Sequence, residues 1–153
     1  MKFSSVIGPA FAVVAFAFAA PAFAQDMGAI VKERAGIMKS VSGAVKALDT
    51  SAKAGKVAPD DAARAAKALA SYRKYTSLFP AGSDSGKVKT RAKPEIWQDK
   101  ARFDSEAGKL IAALGDIEKA AKAGDAKAMG GAVKLAQETC NTCHKAFRGP
   151  RPE

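Results

Sequence analysis

Apolar residues recur along most of this chain in steps of three and four, the period of a helix with one buried face. From Asp26 to Leu48 the stripe is Met27, Val31, Met38, Val41, Val45 and Leu48, with Ile30 and Ile37 alongside. Gly55 and Pro59 interrupt it. A second run, from Asp60 to Leu78, carries Ala62, Ala65, Leu69, Tyr72 and Thr76, and its stripe leads on to Phe79. Pro80, Gly82 and Gly86 then open a polar loop that reaches Lys93. Pro94 suits the first position of a third helix. There Ile96, Phe103, Leu110 and Ile117 form a heptad seam, with Ala107, Leu114 and Ala121 between them. After Gly124-Asp125, a fourth helix carries Met129, Val133, Ala136, Cys140, Cys143 and Phe147 on one side, and Gly149-Pro150 stops it. No stretch alternates as a strand would. The pattern predicts an all-α fold, an antiparallel up-down-up-down four-helix bundle with mostly short connections.

The N-terminus follows a different pattern. Lys2 precedes an apolar stretch from about Val6 to Ala20, and Pro21 leads into Ala22-Phe23-Ala24. This reads as a secretory signal peptide over residues 1–24, cut before Gln25. It is too short and too interrupted by Gly8 and Pro9 for a membrane span. Cleavage leaves residues 25–153, one domain's worth, with a net charge of +9 instead of +10. An exported basic protein rarely meets nucleic acid. Lys32, Lys39, Lys46 and Lys53 lie along one flank of the first helix. That flank is either a solvated face or a surface that steers an acidic redox partner protein or another anionic surface.

The chemistry is concentrated in Cys140-Asn141-Thr142-Cys143-His144, which holds both cysteines and the only histidine. Cys-x-x-Cys-His is the attachment signature of c-type haem. Each thiol can add across one vinyl group, and the imidazole can then ligate the iron. On a helix, the three side chains lie at i, i+3 and i+4 and project from one face. Two other readings compete. A zinc site needs about four N or S ligands, and this chain offers three. A thiol–disulfide centre belongs near a βαβ pattern, and no β-rich segment is visible. Export and haem attachment agree, since a bacterial c-type haem is attached outside the cytoplasm; the expected location is the periplasm.

Further residues bear on such a cofactor. Arg34 falls on the apolar stripe of the first helix, where a guanidinium needs an anion or a route to water. A haem propionate would serve as the anion; a snorkelling arginine at the bundle's rim is the alternative. Arg148, one turn after His144, either lies near the imidazole or complements the helix C-terminus. A sixth iron ligand would come from a methionine. Met129 lies roughly 22 Å along the same helix from His144, and Met27 sits at a fraying end. That leaves Met38 as the best distal candidate, its other reading being ordinary core filling. The segment Gly82-Ser83-Asp84-Ser85-Gly86-Lys87-Val88 has the wrong spacing for a phosphate loop, and no strand precedes it.

The whole mature chain, residues 25–153, resembles the cytochrome c′ family, the class II c-type cytochromes. The likeness rests on a C-terminal Cys140-x-x-Cys143-His144-x-x-x-Arg148, on Arg34-x-x-x-Met38, and on Phe79-Pro80-Ala81-Gly82 followed by Pro94-Glu95-Ile96-Trp97 and Phe103. The resemblance implies one haem c with its iron, Cys140 and Cys143 as thioether attachments, and His144 as proximal ligand. Arg34, Phe103 and Arg148 would line the cofactor. It also implies no enzyme, and a monomer or homodimer. Low-spin members use a first-helix methionine as sixth ligand, so Met38 points to single-electron transfer with His144 and Met38 both on the iron. The alternative is a five-coordinate, high-spin protein that binds nitric oxide or carbon monoxide.

Overall fold

The computed structural model describes residues 26–152, so the signal-peptide reading lies outside the described residues. Helix α1 spans Met27–Lys53, α2 Asp61–Tyr75, α3 Glu95–Gln98, α4 Lys100–Lys122 and α5 Ala126–Phe147. The helix starts are capped by aspartates. The carboxylates of Asp26, Asp99 and Asp125 accept the backbone N–H groups of Ala29, Arg102 and Ala128, at 3.0, 3.1 and 2.8 Å. Gly55 and Gly124 follow the ends of α1 and α4 with φ of 70° and 71°, the left-handed conformation that closes a helix.

Three boundaries differ from the sequence pattern. Helix α1 runs beyond Leu48 to Lys53, because nothing stops it before Gly55. Helix α2 ends at Tyr75, ahead of Thr76 and Phe79. The third helix is split: Pro94 starts a single turn, α3, and the chain then bends at Asp99 (φ −127°, ψ 61°) before α4 begins. Asp99 caps α4 with its own side chain, so the heptad seam crosses a helix boundary between Ile96 and Phe103.

The four long helices form a ring. Helix α1 packs on α2 and α5, and α4 packs on α2 and α5. The main core lies inside it, built from Val41, Val45 and Leu48 of α1, Ala65, Leu69 and Tyr72 of α2, Leu110, Leu114 and Ile117 of α4, and Met129, Val133 and Ala136 of α5. A second, aromatic cluster caps one end: Phe79, Ile96, Phe103 and Phe147. Phe103 meets Phe147 edge-on at 5.5 Å and fixes the register of α4 against α5. Running the two helices in opposite directions from that contact sets Ala107 level with Cys143, Leu110 with Cys140, Leu114 with Ala136 and Ile117 with Val133. Lys32, Lys39, Lys46 and Lys53 are all exposed along α1. Among the described residues, no helix is long and apolar enough to cross a membrane.

Leu114 is fully buried, whereas Leu135 is 49% exposed. Leu114→Ala should cost ~2–5 kcal/mol of unfolding free energy, and Leu135→Ala should stay within about 0.5 kcal/mol. Denaturant unfolding of the intact protein measures both.

Candidate functional site

Helix α5 stays helical through Cys140, Cys143 and His144 to Phe147, which places the three side chains on one face as their spacing demands. All three are half-buried. The two sulfurs straddle a boundary in the interior: Cys140 packs against the main core and Cys143 against the aromatic cluster. Tyr75 packs against both clusters, stacking on Tyr72 at 5.4 Å and meeting Phe79 edge-on at 5.1 Å.

Both thiols are unpaired. Burial raises the pKa of the Cys140 thiol. It pushes that of Cys143 up to about 11, with the Glu106 carboxylate and the neighbouring Cys140 adding to the effect. A thiol–disulfide catalyst needs the opposite, a thiol whose pKa is lowered. The surroundings of the two thiols thus do not favour the redox-pair reading. Among the described residues, no group of three or more His, Cys, Asp or Glu side chains is arranged to hold a bare metal ion. His144 is shifted downward by burial, then by the charges of Arg148 and Arg91. Its imidazole is thus held neutral, the form that ligates a metal.

The stretch that read as a plain polar loop braces this helix end. Lys93 N–H donates to Phe147 O at 3.1 Å, and Gly149 N–H donates to Arg91 O at 2.8 Å. Ala92 and Arg148 pair as a short antiparallel bridge. The Arg91 and Lys93 side chains add bonds to the carbonyls of Gly149 and Ala146, at 2.8 and 3.0 Å. Arg148 is thereby drawn into extended backbone as the C-cap of α5, and its N–H still donates to His144 O.

Arg34 is buried, only 4% exposed, so it is not a snorkelling side chain at the rim. Its Nη2 donates to Ser83 O at 2.8 Å and its Nη1 to Ser83 Oγ at 3.4 Å. Its guanidinium lies 4.7 Å from the Phe79 ring centroid. Burial lowers its pKa, although the Tyr75 hydroxyl opposes that. Two of five N–H donors are spent on Ser83, and among the described residues no carboxylate pairs with it. Met38, one turn on, is half-buried and packs against the main core. Phe103 is buried between Phe79 (4.8 Å) and Phe147. Met27 lies at the start of α1, and Met129 is buried in the main core near the start of α5, far along that helix from His144.

Glu106 was overlooked in the sequence. It sits three residues after Phe103 and four before Leu110, a charge on the seam as visible as Arg34. It is buried, one carboxylate oxygen pairs with Lys109 Nζ at 2.6 Å, and the other has no partner. Ser83, Arg91 and Lys93 had no comparable signal, because their roles depend on where the loop lands.

Two unpaired thiols and an imidazole on one face, an apolar and aromatic surround, and a buried cation without a carboxylate fit a covalently attached haem. The comparisons agree on this class of protein. The sequence model of the family described as Cytochrome C′ matches residues 29–148. Cytochrome c′ of Rhodospirillum rubrum is 36% identical over 91 residues, 59% of this chain and 61% of that protein. Cytochrome c′ of Rubrivivax gelatinosus is 36% identical over 95 residues, 60% of this chain and 73% of that protein. The solved cytochrome c′ from Rhodobacter sphaeroides superposes with a TM-score of 0.69 at 31% identity, covering 82% of this chain and 99% of that one. The Rubrivivax gelatinosus structure gives 0.71 at 26% identity, covering 81% and 98%.

The chain belongs to the cytochrome c′ family. It is a c-type haem protein on a four-helix bundle, with one covalently attached haem c and its iron.

If both thiols hold the cofactor, Cys140→Ser or Cys143→Ser alone should leave one covalent link, and the double variant none. Haem staining after denaturing electrophoresis reads this directly: a band for each single variant and no band for the double.

Proposed function

We propose that this chain is a periplasmic, five-coordinate cytochrome c′ that binds nitric oxide or carbon monoxide. Cys140 and Cys143 attach the haem, and His144 is the iron's one protein ligand. The placement of Met38 carries the reading. Its side chain is half-buried and packed against the main core, on the stripe it shares with Val41 and Val45, where it acts as a bulky apolar stopper. The family's high-spin members block the sixth position with such a residue, and every relative named above bears the name cytochrome c′.

When bound, the haem supplies an iron with one position left for a diatomic gas. The residues set the conditions. His144 arrives as a neutral imidazole on a helix end braced by Arg91 and Lys93. Met38 offers no hydrogen-bond donor, so that wall favours neutral diatomic ligands over anions, which would pay a desolvation cost without compensation. Arg34, held by Ser83, keeps donors free for a propionate. Phe103 and its aromatic partners exclude water from the same end of the bundle.

Single-electron transfer is the second reading, with Met38 as a further axial ligand. It is favoured by a thioether one turn beyond Arg34. The exposed lysine flank of α1 would then dock an acidic redox partner.

Visible spectra of the ferric and reduced protein, with and without carbon monoxide, separate the two. The proposal expects broad high-spin bands that shift with carbon monoxide. It also expects Met38→Ala to keep that spin state and bind carbon monoxide faster. A sharp low-spin spectrum that ignores carbon monoxide, turning high-spin only in Met38→Ala, would overturn it in favour of the electron carrier.

A further inference from the structure

We propose that Glu106 is a potential-setting residue: a fixed buried negative charge, opposite Cys143 and His144, that holds the haem iron toward its oxidised state. This rests on the reading that the Cys140–His144 motif carries the haem.

The first support is register. Phe103 and Phe147 touch across α4 and α5, so one turn inward Glu106 stands level with His144 and Ala107 with Cys143. The second is burial. Glu106 is 8% exposed, and one of its oxygens is sealed from solvent without any hydrogen-bond partner. An unpartnered buried carboxylate oxygen is costly, and a fold that retains one calls for an explanation. The third is an asymmetry within the ion pair. The Lys109 side chain is more than half exposed, so water screens it, whereas the Glu106 side chain is nearly closed off. The pair's cationic end faces solvent, and its anionic end lies in the low-dielectric interior, where a field reaches further.

Reduction takes one electron from an external one-electron donor and adds one negative charge to the site, with no bond made or broken. A fixed anion nearby opposes that step. Glu106 therefore lowers the reduction potential, and Lys109 partly offsets it.

The test uses the haem-loaded protein and a one-electron mediator of known potential. Glu106→Gln keeps the shape and removes the charge, so the equilibrium constant for reduction should rise by about threefold or more. Lys109→Ala strips the offsetting cation, so the constant should fall. Glu118→Gln, near the far end of α4 and paired with Lys122, should leave it unchanged. A merely structural pair would shift stability in both variants without moving the potential in opposite directions. If Glu106→Gln fails to fold, Lys109→Ala alone still decides, because its side chain lies largely in solvent. A potential unmoved in the folded variants, or moved the same way in both, overturns the proposal. Haem staining of the same samples reports separately on attachment, so a failure of the motif reading is distinguishable from a failure of this one.

Discussion

Everything at this site depends on α5 remaining helical as far as Phe147. Three side chains at i, i+3 and i+4 share a face only while the helix holds, and the motif sits in its last two turns, where helices fray. Two things prevent that. The Phe147 ring is locked into the aromatic cluster through Phe103. The strand-like bridge of residues 91–93 with 147–149 satisfies backbone groups that the helix end leaves free. The loop after α2 thus serves the site from behind, although it contributes no side chain to the iron-binding motif.

The second organising feature is the boundary between two hydrophobic clusters. The main core is mostly aliphatic and alanine-rich, with Tyr72 its one aromatic member. The end cluster is aromatic. Cys140 belongs to the first and Cys143 to the second, so a flat cofactor held by both thiols would lie across the join. Two charged side chains are buried on other helices: Arg34 on α1 and Glu106 on α4. Burying an ionised group costs several kcal/mol unless it is compensated. Arg34 has a carbonyl, a hydroxyl and an aromatic face, whereas Glu106 has a single exposed lysine. The cationic side is the better satisfied in the protein alone.

Much of this was legible from periodicity. The heptad seam of Phe103, Leu110 and Ile117, the α1 stripe from Met38 to Leu48 and the side of α5 became core, because a helix with one apolar face has few ways to bury it, whereas Met27 and Val31 at the start of α1 lie outside both clusters. The haem motif was legible for a different reason: its chemistry requires three residue types at fixed spacing. Arg34 stood out as a charge on an apolar stripe. Glu106 followed the same rule but went unread among the alanines of the seam. Asp99 was a cap signal hidden inside a pattern that looked continuous, so one expected helix became α3 and α4.

Other features were not open to such a reading. Ser83 under Arg34, and Arg91 and Lys93 against the end of α5, involve partners about fifty residues or more apart, and no local pattern encodes which loop reaches which helix. Local periodicity, capping and motif spacing act within a few residues, so the order of side chains along the chain was enough to specify the helices, their buried faces and the cofactor class. The packing of Met38 against the core, the isolation of one Glu106 oxygen and the bracing of His144 are relations between helices. They arise only when the ring closes and each side chain must share a fixed volume with neighbours from distant parts of the chain.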